Sequence, residues 1–424
     1  MSVRQEARST PDTAAARKAA AAGTVGTALE FYDFLIYGTA SAVVFNKLFF
    51  PTAEPVVGVL LAFATFGAGF LTRPIGGVVL GHFGDRTGRK NMLVLTVTMT
   101  GLCTAAIGVL PTYASIGVLA PLLLVTLRLV QGFFLGGEQG GAVVLVVEHA
   151  PPGRRGWYGA WAFLGAPGGH LLSTGVFAAV VALSGDELLT WGWRVPFLLS
   201  LVLLVVGLYI RLRVAESPEF TEVRDQGRRA RRPVAETLRE HWRQVLRLVG
   251  INMGLNAFMS MLTVFVLSYG IQHVGVSRNV MLVATMVGTA MEIAAVLFFA
   301  KLSDRIGRAP VLRGGAVFLV AYAFPMFWLL DTGSPALIVV ALVGGFVGAS
   351  AVFGPLAAFC VERFTTTVRY TGVSLGYQTG AVLGGGLSPF VATALLDLAG
   401  GQAWSVSLYL AAGALLTFAC VPRS

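Results

Sequence analysis

The sequence predicts an all-α integral membrane protein of twelve transmembrane helices, arranged as two pseudo-symmetric six-helix bundles. Three observations carry this. Of the 424 residues 55% are hydrophobic and only 12% charged, whereas a soluble domain carries roughly 25% charged residues. Apolar runs of about 20 residues, the length that crosses a bilayer, recur along the whole chain. A charged motif also recurs: Gly81-His-Phe-Gly-Asp85-Arg86-Thr-Gly88-Arg89-Lys90 returns 219 positions later as Ala300-Lys-Leu-Ser-Asp304-Arg305-Ile-Gly307-Arg308-Ala309.

In chain order, residues 1–21 form an Ala-rich polar tail with no apolar h-region before the first span, so no cleavable signal peptide is expected. Most of this tail is expected to be disordered. Spans are expected near 22–45, 56–80, 92–111, 117–147, 157–183 and 193–212, and these make an N-terminal bundle over 22–212. A polar stretch over 213–246 carries Arg228, Arg229, Arg231 and Arg232 and reads as a basic linker that can also touch anionic lipid. Spans near 247–272, 280–300, 310–330, 335–360, 371–397 and 404–421 make a C-terminal bundle over 247–424. Glu148 and Arg155 after the fourth span are matched by Glu362 and Arg369 after the tenth.

The chain has a net charge of +10, but its 31 Lys and Arg are not spread evenly. The tail, the linker and the loops on one side hold 26; the other side holds Lys47, Arg194 and Arg278; Arg73 and Arg128 lie inside spans. By the positive-inside rule both termini face the cytoplasm, and nucleic acid is not the partner. The three cysteines, Cys103, Cys360 and Cys420, are scattered through apolar runs. They fit neither a disulfide framework nor a zinc site. No metal, cofactor or enzymatic motif is expected.

The charges inside the spans point to function. A full charge at the bilayer centre costs roughly 2.5–3.5 kcal/mol, so such groups face protein or a water-filled path. Arg128 and Glu138 lie in the run Gly117–Val147, and Glu30-Phe-Tyr-Asp33-Phe opens the first span. Asp33 and Arg128 each lie about ten residues, or roughly 15 Å, in from opposite ends of their spans, which puts both at mid-membrane. They form a candidate coupling pair, in which loss of the arginine or drying of the site lets the carboxylate take a proton. The alternative is a static ion pair that orients the helices. Glu30, on nearly the same face, is a second proton site or holds Asp33 in place. Glu138 receives the proton on its way out or pairs with Arg73, and Arg73 itself suits a substrate carboxylate.

Further candidate substrate contacts are Gln131, Tyr37, Trp161, Asn256, Tyr377 and Gln378, with Tyr32, His170 and Asn252 as weaker candidates. Each also reads as an ordinary packing residue. Glu292 is another intramembrane carboxylate, with no partner apparent in the sequence.

Taken together, Glu30 to Phe34, Phe70-Leu-Thr-Arg73-Pro-Ile-Gly-Gly77, Gly81 to Lys90, Arg128 to Ala142, Trp191-Gly-Trp-Arg-Val-Pro-Phe197 and Glu216-Ser-Pro-Glu-Phe220 resemble the major facilitator superfamily. Within it they resemble the metabolite:proton symporters. The segment from Leu61 to Leu110 is most like the shikimate-transporter branch. The resemblance implies proton-coupled uptake of a small organic acid or zwitterion by alternating access across a bacterial cell membrane. A monomer is expected, with no cofactor beyond the coupling proton. It also implies a cytoplasmic gate built from Gly81, Asp85, Arg86, Gly88, Arg89, Lys90, Glu148, Arg155, Asp304, Arg305, Glu362 and Arg369. Two departures stand out. Gln139 occupies a position that is often aromatic, and the second loop motif begins and ends in alanine, which predicts a weaker network there. The rivals are a proton-antiport exporter, suggested by Gly165-Ala-Pro167, and an osmolyte (betaine or proline) symporter.

Overall fold

The computed structural model describes residues 13–51, 55–228 and 230–423. Among them every regular element is helical. We number the crossing helices in chain order: α1 (Thr13–Leu48), α2 (Pro55–Leu71 continued by Arg73–Thr87), α3 (Arg89–Val109), α4 (Leu119–His149), α5 (Arg155–Ser184) and α6 (Arg194–Leu212). The second half has α7 (Trp242–Gln272), α8 (Arg278–Ile306), α9 (Arg308–Asp331), α10 (Pro335–Val361), α11 (Arg369–Leu398) and α12 (Trp404–Cys420). Ten of these are long and apolar enough to cross a membrane by themselves. The broken α2 and the shorter α12 complete the twelve.

Several boundaries differ from expectation. α1 is already helical at Thr13, the first described residue, rather than from residue 22, because the Ala-rich stretch Ala14–Ala22 is strongly helix-forming even though it adds little hydropathy. Arg4 and Arg8 of the tail lie outside the described residues, as does Arg229. The linker is not plain coil either: Pro218–Asp225 and Pro233–Glu240 are short helices, the first capped by Ser217, whose Oγ accepts from the Phe220 N–H.

The two halves pack alike. In the first, α1 lies on α5, α2 on α4 and α3 on α6; in the second, α7 lies on α11, α8 on α10 and α9 on α12. Even the helix irregularities repeat. α1 widens over Ser41–Phe45 and α7 over Met261–Phe265, 220 positions on, each as a π-turn. α5 carries Pro167 inside the helix, and α11 widens at the matching level, Val382–Gly386. Such breaks loosen the backbone ladder locally.

The face that carries the Asp85 and Asp304 motifs is called here the basic face. On the other face, Trp193 just before α6 and Phe197 within it pack with Phe45 of α1 and Phe49 just after it. Arg194 caps the end of α3 by donating to the Gly108 and Leu110 carbonyls, each at 2.8 Å. Cys103 and Cys360 are buried and Cys420 is half-buried, all as free thiols.

Candidate functional site: buried charges and the seam between the halves

The buried charges concentrate in the first half. On α4, Arg128 donates to Gln131 Oε1 at 2.6 Å, and Gln131 Nε2 donates to Thr104 Oγ1 of α3 at 2.8 Å. The Arg128 guanidinium lies over the Tyr37 ring at 4.1 Å, and the Tyr37 hydroxyl bonds Thr65 of α2 at 2.6 Å. This arrangement stabilises the cation by amide oxygen and by the aromatic face. Asp33 is buried beside Thr104 and feels the charges of Arg128 and Glu30. The expected direct Asp33–Arg128 ion pair is not formed, however; among the described residues Asp33 makes no salt bridge, and neither does Glu30. The Arg128 guanidinium donates to Gln131 instead, and Asp33 feels it only through space.

Glu138 also departs from expectation. Its partner is not Arg73 but Arg211, near the end of α6, and it also accepts from the Thr96 hydroxyl of α3. Sequence reasoning placed Arg211 among the loop arginines, yet it is only 4% exposed. The signal that was available is the stripe Thr96-Thr100-Thr104, three buried hydroxyls at one-turn spacing on α3.

Arg73 stands at the break of α2, next to the inter-half space. Its guanidinium lies 4.4 Å from the Phe70 ring and 5.1 Å from Phe34. Its Nε has no hydrogen-bond partner, and its electrostatic neighbours are Glu30 and, from the other half, Tyr377. Trp161, Asn256 and Tyr377 are likewise only half-buried. By contrast Gln131, Tyr37 and Gln378 are committed inside the protein. Gln378 Nε2 donates across the halves to the Leu135 carbonyl at 3.3 Å. These three shape the site rather than present free groups to a ligand. Asn252 is buried, whereas His170 is exposed.

On the basic face the halves are latched together. Asp85, fully buried at the end of α2, accepts from the Tyr370 and Thr371 N–H groups and from the Thr371 hydroxyl at 3.1, 2.9 and 2.8 Å. It therefore caps α11 of the opposite half, where free N–H groups and the helix dipole favour a carboxylate. The repeat reproduces this: Asp304 of α8 accepts from the Gly156 and Trp157 N–H groups of α5 at 2.9 and 2.8 Å. Arg89 reaches Asp85 at 3.7 Å, Glu148 at 3.4 Å and the Thr366 carbonyl at 2.6 Å. Arg369 joins Glu148 at 2.7 Å and also pairs with Glu219. In the repeat, Arg308 joins Asp304 at 2.6 Å and Glu362 at 3.1 Å. This second network does form, but it is more solvated than the first.

Not every expected gate residue takes part. Arg86 and Arg305 point outward and are exposed, because one step along a helix turns the side chain by about 100° from the inward Asp. Lys90 stays within its own half, donating to the Leu212 carbonyl at 2.8 Å. Gly88 has φ +120, open only to glycine without strain, and a Cβ there would strike Glu216. A Cβ on Gly81 would come within 2.7 Å of Thr371 Cα, so that glycine allows α2 to touch α11. Two linker carboxylates were missed as gate members. Glu216 accepts from the Arg89 N–H at 3.2 Å, and Glu219 bonds Arg155 at 2.5 Å in addition to Arg369. Burial acts to raise the Glu219 carboxyl, but Arg369 and Arg155 outweigh it and hold the group below the usual carboxylate range. Deeper in the seam, Phe163 of α5 stacks on Phe353 of α10 at 4.3 Å and lies parallel to Tyr377 of α11.

A seam latched on one face, two matching half-bundles and ionisable groups buried among apolar crossing helices describe a solute carrier. The model of one family, the Major Facilitator Superfamily, matches residues 24–377. The chain belongs to the major facilitator superfamily. It is 41% identical over 406 residues to the shikimate transporter of Escherichia coli K12, covering 95% of this chain and 93% of that one, which places it in the same branch. It is 34% identical to a proline/betaine transporter of Salmonella typhimurium, covering 90% and 78%. Among solved structures, a major facilitator proton:xylose symporter superposes with a TM-score of 0.76 at 16% identity, covering 97% and 96%, a likeness of fold. The protein is thus a multi-pass membrane transporter, not an enzyme.

Proposed function

We propose that this chain is a proton-coupled symporter that imports a small carboxylate-bearing metabolite across the bacterial plasma membrane by alternating access. Its basic face and both termini lie in the cytoplasm. One observation carries the reading: Asp33 and Glu30 are carboxyls buried inside the crossing helix α1, near Arg128 and Arg73 but not in ion-pair contact with them. A carboxyl in that position changes protonation with small changes in wetting or in the distance to a neighbouring cation. Alternating access supplies such changes each time the basic-face latch opens and closes.

For the substrate, Arg73 is the best-placed cation. It sits at the seam with an unsatisfied Nε and aromatic flanks, beside the half-buried Tyr377. A guanidinium of this kind suits a carboxylate. Shikimate, proline and betaine, which appear in the names of the relatives, all carry one. The Gly165-Ala-Pro167 stretch that suggested an exporter packs α5 onto α1: a Cβ on Gly165 would come within 2.1 Å of the Thr24 carbonyl.

The test is lumenal pH in proteoliposomes of equal internal and external pH, as shikimate, proline, betaine, 2-oxoglutarate and citrate are added outside one at a time. Acidification of the lumen with one of them is the expected result. Alkalinisation would mean antiport, and the symport reading would be abandoned.

A further inference from the structure

The first half contains a polar seam of its own, separate from the seam between the halves. α1 contributes Asp33, Glu30 and Gly26 at one-turn intervals, and α3 contributes Thr104, Thr100 and Thr96 at the same levels. A water-sized cavity between α1, α3, α4 and α6 is lined by Asp33, Glu30, Thr100, Ser200 and Glu138. Its floor is the Glu138–Arg211 pair with Thr96. Below that floor, toward the basic face, a second cavity is lined by Arg211, Lys90, Ala19, Ala22 and Val214. Glu30 Oε2 and Thr100 Oγ1 along the first cavity, and Arg211 Nε along the second, have no protein hydrogen-bond partner. Both cavities are otherwise walled mostly by apolar side chains such as Leu29, Val97, Leu93 and Leu145, so these unsatisfied groups are what gives each a polar partner for an ordered water. Gly26 completes the arrangement, since a Cβ there would lie 1.9 Å from Arg211 Nη2 and 3.0 Å from Glu138 Oε1.

We propose that this internal seam is the proton's route to the basic face, with the Glu138–Arg211 pair as its valve, so that proton and substrate travel by different paths. The proposal rests on the symport reading above. A proton held at Asp33 passes by Glu30, water and the threonine hydroxyls to the Glu138 carboxylate. Protonation makes Glu138 neutral and reduces its contact with Arg211 from an ion pair to a single hydrogen bond. Glu138 then gives the proton to water in the second cavity, and the ion pair re-forms. Arg211 acts as a positioning residue. The groups facing Glu138 are Arg211 from α6, Thr96 from α3, Glu30 from α1 and, from α11, Tyr370, whose hydroxyl binds the Gly137 carbonyl at 2.8 Å. The substrate site at Arg73 opens instead on the seam between the halves.

The test compares wild type with the paired variant Glu138→Gln/Arg211→Gln, which removes both charges together and leaves no lone buried ion, and with Glu138→Asp as a conservative rescue. In proteoliposomes with shikimate as the probe, the paired variant is expected to lose lumenal acidification at least about tenfold. Its shikimate exchange at equal pH falls far less, and Glu138→Asp recovers part of the acidification. Wild-type acidification in the paired variant overturns the route while leaving symport intact. A silent wild type defeats the symport reading first, and infrared titration of the reconstituted protein then decides the valve. A protonated-carboxyl band that vanishes in Glu138→Gln and moves by about one pH unit or more in Arg211→Gln is expected. No band assignable to Glu138 between about pH 4 and 9 overturns it.

Discussion

The two halves share a backbone but not a chemistry. Their packing order, π-turns and helix-capping aspartates repeat. The charges do not. Apart from the latch residues, the first half buries Glu30, Asp33, Arg128, Glu138 and Arg211, with Arg73 half-buried; among the described residues the second half buries Glu292, with Arg313 half-buried. At the positions matching Glu30, Asp33, Arg128 and Glu138 the second half has Gly250, Met253, Leu342 and Val352. The exception is Arg73, whose counterpart by the 219-residue shift is Glu292 itself. The repeat thus gives two bodies of similar packing, and most of the buried ionisable groups lie in one of them. The second half supplies most of the largest apolar cluster, which continues across the seam into Val143, Val147 and Phe163 of the first.

The largest expected effect sharpens this comparison through packing. Gly136 of α4 meets α2 so closely that a Cβ would lie 2.0 Å from the Arg73 carbonyl, whereas a Cβ on Gly314 of α9 meets nothing within 4 Å. Gly136→Ala is expected to cost about 1–3 kcal/mol or more by overpacking and to displace Arg73, with loss of transport. Gly314→Ala is expected to leave thermal stability and transport near wild type. Equal melting temperatures for the two variants would break the comparison.

Next come the capping aspartates. Asp85 has no exposed side-chain surface, while Asp304 is 7% exposed beside the more solvated Glu362. Asp85→Ala is expected to weaken the latch by about 2 kcal/mol and Asp304→Ala by about 1 kcal/mol. Labelling of Ser374→Cys from the basic face then rises more in the first background than in the second. The reverse order would show that the second latch dominates.

The smallest effect is on pH. Arg369 and Arg155 hold the Glu219 carboxyl below its ordinary value of about 4.3. A depressed carboxyl contributes stability that is complete above the unfolded value and is lost as pH falls through the folded one. Half-exposed pairs are screened, so the contribution is about 1 kcal/mol or less. The melting temperature of Glu219→Gln is expected to lie slightly below wild type at neutral pH and to converge with it below about pH 4. A difference that widens with acid would contradict the sign.

How much of this was legible in the sequence follows from what each signal encodes. Apolar runs give spans, and the repeated Asp-Arg-x-Gly-Arg motif marks both latches, because Asp85 and Arg89 must lie one turn apart. What that motif does not state is that Arg86 and Arg305 turn away and that Arg308 does the pairing in the second half. Arg211 was hidden because an arginine at the end of a span looks like any positive-inside residue. Only its three-dimensional approach to Glu138 through Gly26 reveals it. Glu216 and Glu219 were legible as a family signature but not as latch members, since their partners lie far away in the chain. That Arg128 donates to Gln131 and not to Asp33 is a rotamer choice that helix periodicity does not encode.

The central claim, that the first half carries the proton at Asp33, is tested most directly by uptake in Asp33→Asn, with Met253→Leu as its counterpart in the second half. With shikimate as the solute and an imposed inward proton gradient, Asp33→Asn is expected to lose accumulation by roughly 100-fold or more while still exchanging shikimate across the membrane at equal pH. Met253→Leu is expected to accumulate it like wild type. Gradient-driven accumulation that survives in Asp33→Asn would contradict the account.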